Sequence, residues 1–382
     1  MNSPLHEVLG NMFTLQHQDG PARAGEFQTT HGVFQTPAFM PVGTQATVKG
    51  VTPEQLKDLK AQIVLSNTYH LHLRPGDEQI KSFGGLHKFM NWSGPILTDS
   101  GGYQVFSLTK LRKMSEEGVT FQSHIDGSPI QLTPEKVVKI QENLGVDIMM
   151  VLDECLGYPA EKEAVKRSLE LTTRWAKRAK LAKVREESSI FGIVQGGMYP
   201  ELRLESAQGL VEIGFDGYAI GGLSVGEPPL MMYDIAEKIA PVLPTDKIRY
   251  LMGVGTPIDL VEAVSRGIDL FDCVIPTRSA RFGRLFTKSG SINIRNTEHR
   301  LNPDPVQADC ECYTCKNFSR AYLSHLNHAQ EVLFVTLASI HNLHFYQWLV
   351  RKMREEIVLG NFEAFKAKFL NDYKSTARDV DL

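Results

Sequence analysis

From about residue 90 the chain repeats one unit, in which a short apolar run stops at glycine or polar residues and an amphipathic helical stretch follows. The runs are "PILT" (95–98), "DIMMVL" (147–152), "IFGIV" (190–194), "DGYAI" (216–220), "RYLM" (249–252) and "LFDCVI" (270–275). Between them lie stretches such as "TPEKVVKIQENLG", "PELRLESAQGLVEIG" and "TPIDLVEAVSRG". Thr133-Pro134-Glu135 and Thr256-Pro257 each set a capping residue before a proline at the first helical position. Gly145, Gly214 and Gly267 each follow a helical run, as a left-handed C-cap prefers. Continuous apolar strands alternating with helices require a parallel sheet covered on both faces. "TPAFMPVG" (36–43) and "AQIVLSNTYH" (61–70) supply two further strands. About eight units over about 250 residues predict a TIM (β/α)8 barrel, and no phosphate-binding glycine fingerprint opens the first unit.

A barrel of this kind carries its active site at the C-terminal ends of its strands. The residues after each run therefore read out the mouth: "DSGGYQ" (99–104), "DEC" (153–155), "QGG" (195–197), "GGLSVGE" (221–227), "GVG" (253–255) and "PTRSAR" (276–281). Asp99, Asp153 and Asp272 fall at or near strand ends, beside apolar neighbours that would desolvate them and raise their pKa values. Singly, each is explained as a helix cap or turn residue; three on one mouth point to chemistry. Two facing carboxylates can divide the roles of nucleophile and acid/base in breaking a glycosidic bond with retention. The Gly-Gly pairs 101–102, 196–197 and 221–222 fit either tight turns or a ligand lying close to the backbone. With Asp153 and Gln195 they would match a flat base that carries adjacent N–H donors and a carbonyl, such as guanine. Tyr103 and Met252 could sandwich it, although each also fits core packing.

Cysteine usage is concentrated. Cys310, Cys312 and Cys315 have C-x-C-x-x-C spacing, which predicts a closed, structural zinc site in need of one more donor. His341 and His344 in the helical "SIHNLHFYQWLV" both qualify, and spacing does not choose between them. With 41 basic and 44 acidic residues the net charge is −3, unlike a general nucleic-acid binder. Local basic stretches remain: Arg278, Arg281, Arg284, Lys288, Arg295 and Arg300 beside the mouth, and a lysine- and arginine-rich helix over 162–185. Both fit a solvated surface; the first also fits RNA held by its phosphates around one extruded base. The N-terminus lacks the pattern of a signal peptide and no stretch is long and apolar enough to span a membrane, so a cytoplasmic protein is expected.

The ordered motifs "TPAFMPVGT", "LSNTYHLHLRPG", "PILTDSGGYQVFSL", "EEGVTFQSHIDG", "FGIVQGG", "GFDGYAIGGLSVGE", "YLMGVG", "FDCVIPTR" and "CECYTC" resemble those of bacterial tRNA-guanine transglycosylases from about residue 12 to about 370. The resemblance implies a TIM barrel with an inserted, C-terminal zinc-binding subdomain: barrel 1–290, zinc subdomain 291–350, and a helix over 351–382 packing back on the barrel. It implies exchange of the wobble guanine of GUN anticodons (tRNAs for Asp, Asn, His and Tyr) for preQ1, on the way to queuosine. Asp272 would be the nucleophile, with a covalent RNA intermediate, and Asp99 the acid/base. Tyr103, Asp153, Gln195, Gly222, Leu223 and Met252 would bind the base, and Arg278 and Arg281 the flanking RNA. The same comparison selects His341 to join Cys310, Cys312 and Cys315 on one structural Zn2+ per subunit, and implies a homodimer.

Val225 in "GGLSVGE" stands where catalytic eukaryotic members resemble "GGLSGGE", and so favours preQ1 over the bulkier queuine. Phe282 in "TRSARFG" leans the other way, since many bacterial members carry a polar residue there. The archaeal kind continues into further RNA-binding domains after the core, so the anticodon loop is the expected target here. Two rival readings are a non-catalytic RNA-binding partner subunit and a metal-dependent barrel hydrolase. The first would be expected to lack the aspartates. The second would need histidines at strand ends, and the mouth has none; His70 and His72 lie near an early strand end without a matching pair.

Overall fold

A computed structural model describes residues 12–104 and 112–374. Eight short strands form one parallel sheet: β1 (Ala38–Pro41), β2 (Val64–Asn67), β3 (Ile96–Asp99), β4 (Ile148–Met150), β5 (Ser189–Val194), β6 (Gly217–Ile220), β7 (Ile248–Leu251) and β8 (Leu270–Cys273). Their order runs β1-β8-β7-β6-β5-β4-β3-β2, and a parallel bridge from Val42 to Leu65 joins the two ends. This is the TIM barrel read from the pattern of runs. Six of the strands are buried at every position, because both faces of a barrel strand meet side chains: interior layers on one side, helices on the other. That two-sided burial is why the runs are apolar rather than alternating.

The helices start where the caps predict and two of the three glycine stops hold; the helix expected to end at Gly267 ends earlier, with Ser265 as its C-cap. Thr133 accepts from the Lys136 amide ahead of helix Pro134–Leu144, and Gly145 ends that helix at φ 72°. Thr256 and Asp259 form a reciprocal capping box on helix Pro257–Val264.

Three additions break the repeat. An antiparallel sheet of Phe13–Asp19, Ala22–Thr29 and Gly32–Gln35 covers the N-terminal end of the barrel. Its Arg23 meets Asp269 at 3.2 Å and its His31 meets Asp147 at 2.8 Å, each acid standing just before a barrel strand. A second antiparallel sheet (Arg112–Met114, Val119–Gln122, Pro129–Leu132) is inserted between β3 and its helix. The third follows β8: helix Ile275–Arg281, a hairpin of Arg284–Thr287 and Gly290–Asn293, and the cysteine-bearing segment.

The chain returns along the 28-residue helix Val332–Leu359, which runs unbroken through residue 350, where the sequence reading drew a boundary. One part of this helix carries His341 toward the cysteines. Elsewhere Tyr346 donates to the Gly255 carbonyl at 2.7 Å and Gln347 to that of Phe39 at 3.0 Å, which anchors the helix on the barrel. A last helix, Phe362–Asp372, packs against it. The outer limits of the expected units, before residue 12 and after residue 374, lie outside the described residues. Among the described residues no helix is long and apolar enough to cross a membrane.

Candidate active site and metal centre

A cleft of roughly 680 Å³ opens at the C-terminal end of the barrel. Asp99, Tyr103, Asp153, Gly222, Leu223, Met252 and Asp272 all line it, as the strand-end reading required. Asp99 is the last residue of β3 and Asp272 the third of β8, whereas Met252 directly follows β7. Gln195, the first residue after β5, stands behind Asp153 and donates to its Oδ2 at 2.7 Å. Ser100 Oγ donates to Oδ1 of the same carboxylate at 3.1 Å. Each Asp153 oxygen therefore accepts one side-chain hydrogen bond and keeps acceptor capacity for the edge of a ligand. The residue is buried, and that burial raises its pKa against the pull of Gln195 and Ser100.

The other two mouth carboxylates, Asp99 and Asp272, are held differently. Asp99 Oδ2 accepts from Asn67 Nδ2 at 2.5 Å and from Gln104 Nε2 at 3.2 Å, and Oδ1 from the Thr68 amide at 3.2 Å. Even so its pKa is pushed up to about 7, by burial first and further by the charge of Asp272. Asp272 Oδ1 accepts from Tyr250 Oη at 2.6 Å and from the Gly253 amide at 2.8 Å. Burial raises its pKa as well, while these two donors lower it. Tyr250 is itself raised well above an ordinary phenol by burial and by Asp272, so it remains a donor. The site thus pairs one carboxylate poised to carry a proton near neutrality with one fixed through a single oxygen.

Gly102 and Gly222 prove to be close-packing positions against Asp153 and Gln195. A Cβ on Gly102 would fall 2.7 Å from Asp153 Oδ1, and one on Gly222, at φ 61°, would fall 2.4 Å from Gln195 Oε1. Any side chain there would displace Asp153 or Gln195.

Arg278 and Arg281 sit on helix Ile275–Arg281 immediately after β8, beside the cleft rather than in its wall. The other basic residues mostly take the solvated-surface reading. On helix Lys162–Ala182, Arg174 pairs with Glu116 at 2.9 Å and Arg178 with Glu135 at 2.7 Å, tying the helix to the inserted sheet and the neighbouring helix. Lys288 pairs with Asp309 at 2.5 Å.

Cys310, Cys312, Cys315 and His341 bring their ligand atoms within 4.8 Å of one another. His341 Nδ1 lies 3.8, 3.6 and 3.3 Å from the Sγ atoms of Cys310, Cys312 and Cys315. Tetrahedral zinc with ordinary Zn–S and Zn–N lengths would set these distances at about 3.6 Å. His341 Nε2 faces the Phe286 carbonyl at 2.7 Å, which leaves Nδ1 unprotonated for a metal. His344 approaches only Cys310, at 3.5 Å. The donor set fits a structural divalent ion and selects His341, the choice spacing left open.

Strand-end reading missed Asn67, Thr68 and Tyr250. The first two follow directly from the same rule applied to β2. Tyr250 lies inside an apolar run, where an aromatic reads as core, and only its hydroxyl distinguishes it.

A family profile described as queuine tRNA-ribosyltransferase matches residues 18–375. The queuine tRNA-ribosyltransferase of Solidesulfovibrio magneticus is 54% identical over 370 residues, covering 96% of this chain and 98% of that protein. That of Caldanaerobacter subterraneus subsp. tengcongensis is 57% identical over 353 residues, covering 92% and 94%. The chain therefore belongs to the queuine tRNA-ribosyltransferase family, enzymes that are pentosyltransferases.

Proposed function

We propose that this transglycosylase exchanges the wobble guanine of GUN-anticodon tRNAs for preQ1 through a covalent aspartyl–ribose intermediate. The observation that carries this reading is the unlike pair of carboxylates, Asp99 and Asp272, on one cleft. Asp272 attacks C1′ of the ribose from the face opposite the base. The C1′–N9 bond breaks, guanine leaves with its electron pair, and protonated Asp99 supplies the proton. In the second half preQ1 gives its N9 proton to Asp99, N9 attacks C1′, and the C1′–O bond to Asp272 breaks. Two inversions give net retention, and guanine must leave before preQ1 enters.

Asp153 accepts from the N–H edge of the base, and Gln195 with the backbone at Gly222 and Leu223 reads its carbonyl. Tyr103 and Met252 hold its two faces. Arg278 and Arg281 contact the RNA on either side of the extruded nucleotide. Cys310, Cys312, Cys315 and His341 hold one Zn2+ whose place in a closed shell is structural. The working form is a cytoplasmic homodimer, with a barrel over about 1–290, a zinc-binding subdomain over about 291–350 and a C-terminal segment returning to the barrel.

The test is incorporation of labelled guanine into an unmodified GUN-anticodon tRNA, wild type against Asp272→Asn. Label in acid-precipitated tRNA from wild type and none from the variant supports base exchange and the nucleophile together. Binding of tRNA by wild type without incorporation would put the non-catalytic partner subunit in its place.

A further inference from the structure

Arg203 is fully buried, and the reading of the cleft given above makes no use of it. It lies in the first turn of helix Pro200–Ile213, behind the cleft and not in its wall. Its guanidinium meets carbonyl oxygens: Nε donates to Gly197 at 2.8 Å, Nη1 to Val194 at 3.0 Å and to Gly221 at 2.6 Å, and Nη2 to Gly222 at 3.1 Å. Among the described residues no carboxylate forms an ion pair with it. Such a buried cation is costly, and its pKa is drawn down to about 10 by that burial. One turn on, Ser206 Oγ accepts the Gln195 amide at 3.1 Å, so the same helix start holds the ends of both β5 and β6.

The consequence lies on the other side of two peptide planes. In a trans peptide the C=O and the following N–H point in opposite directions. The Gly221 carbonyl shares its plane with the Gly222 N–H, and the Gly222 carbonyl with the Leu223 N–H. A guanidinium holding both oxygens from behind turns both N–H groups away from itself, and Gly222 and Leu223 are cleft-lining residues. A cation on the oxygen also polarises each peptide and makes its N–H a stronger donor.

We propose that Arg203 is a positioning residue that aims and polarises the backbone N–H groups of Gly222 and Leu223 toward the carbonyl oxygen of the bound base. The inference rests on the base-reading role given above to this part of the cleft. As guanine departs, negative charge spreads onto that oxygen, so the same donors act more strongly on the leaving base than on the bound nucleotide.

The test compares competitive inhibition of base exchange by guanine and by 6-thioguanine. The thio base keeps the N1–H and 2-amino donors and replaces the carbonyl oxygen with a poorer acceptor. Wild type should prefer guanine, and Arg203→Met should reduce the guanine-to-thioguanine preference by about tenfold, the scale of one or two well-aimed hydrogen bonds. Arg203→Lys, which keeps a charge but not the fork, should show a smaller reduction, and it decides the matter alone if Arg203→Met does not fold. A residue that merely supports the fold would weaken both bases alike, so an unchanged preference in the folded variants overturns the proposal. Asp153→Asn separates the underlying reading: it should weaken both bases with the preference retained. If it weakens neither, the base-reading assignment itself fails, whatever the Arg203 variants do.

Discussion

Tyr250, on β7, donates its hydroxyl to Oδ1 of Asp272, on the adjacent β8, at 2.6 Å. The Gly253 amide donates to the same oxygen, and among the described residues no hydrogen bond reaches Oδ2. The carboxylate is therefore gripped by one oxygen and presents the other. Oδ2 is the atom we expect to attack C1′. In Tyr250→Phe the carboxylate loses a donor that lowers its pKa, so the acid limb of the pH–rate profile should move to higher pH. The rate of covalent RNA–enzyme formation should fall by about tenfold, the order expected for one hydrogen bond to a charged group. Single-turnover trapping on a denaturing gel reads both. An unmoved acid limb would mean that the phenol is only filling space.

The proposed first half-reaction needs Asp272 ionised and Asp99 protonated. Asp99 titrates at about 7, above the ordinary aspartate value of 3.8, so the proton-bearing form is present below about pH 7 and is lost as pH rises through it. Asp272 is also raised, so its ionised form grows in above the ordinary value. Release of guanine from bound tRNA should accordingly peak between those two titrations and decline above about pH 7. Asp99→Asn should remove the basic limb and slow the step by about 10²–10⁴-fold, the usual range for general acid–base catalysis. Rapid-quench measurement of guanine release across pH 5–9 checks it; a basic limb that survives in Asp99→Asn would assign the proton to another group.

What the sequence discloses here, and what it hides, follows from how a residue's environment is distributed along the chain. The eight strands were legible because nearly every position in them is buried, the partial exceptions being Asp99 at the end of β3 and Asp272 in β8, which leaves mostly apolar runs. The sheet that closes the barrel's N-terminal end was not: Phe13–Asp19 is buried fully only at Phe13, and a half-exposed strand of that kind resembles loop sequence. Asp99, Asp153 and Asp272 were legible because an acid at the end of an apolar run has few structural reasons to be there. Arg203 was not, since an arginine in "PELRLES" resembles any solvated helix face, and only the fold reveals four carbonyls around it. His341 was separable from His344 in space because one turn of helix sends the two rings to different neighbours.

The cluster of candidate metal ligands spans the third inserted segment and the long returning helix, with Cys310, Cys312 and Cys315 on one side and His341 on the other. Native mass spectrometry should find one zinc per chain in wild type and none in Cys312→Ser. Limited proteolysis should then cut first between residues 284 and 331, while the barrel stays resistant. His341→Ala should behave likewise, whereas His344→Ala should keep its zinc. Retention of full zinc by Cys312→Ser would remove that residue from the ligand set.

Val225 lines the cleft beside Gly222 and Leu223. Replacing it with glycine removes an isopropyl group from the wall and opens room for a substituent larger than the aminomethyl of preQ1. Val225→Gly should raise kcat/KM for queuine by about tenfold or more and leave guanine exchange within about threefold, since a single methylene in a pocket is worth about 10–200-fold. Competition between labelled queuine and preQ1 for the same tRNA measures it. Equal exclusion of queuine by both proteins would move the size limit to another part of the wall.

At the opposite end of the barrel, Asp147 is fully buried and accepts from His31 Nδ1 at 2.8 Å, His87 Nε2 at 3.1 Å and the Ile96 amide at 2.8 Å. The two imidazoles stack with centroids 3.5 Å apart. Burial works to raise the Asp147 pKa, but the hydrogen bonds from His31 and His87 prevail and hold it well below the ordinary value of 3.8. A carboxyl depressed in the folded state contributes stability that is present above its unfolded pKa and is lost as pH falls through the folded one. The protein should therefore lose stability below about pH 4, and Asp147→Ala, which leaves the Ile96 amide and both imidazoles without their acceptor, should cost about 3 kcal/mol at pH 7. Because this cluster lies far from the mouth, the folded variant should keep its guanine-exchange rate. Urea unfolding at pH 7 and pH 3 checks the energetics. A variant as stable as wild type at pH 7, and parallel to it in acid, would show that the barrel floor does not depend on this carboxylate.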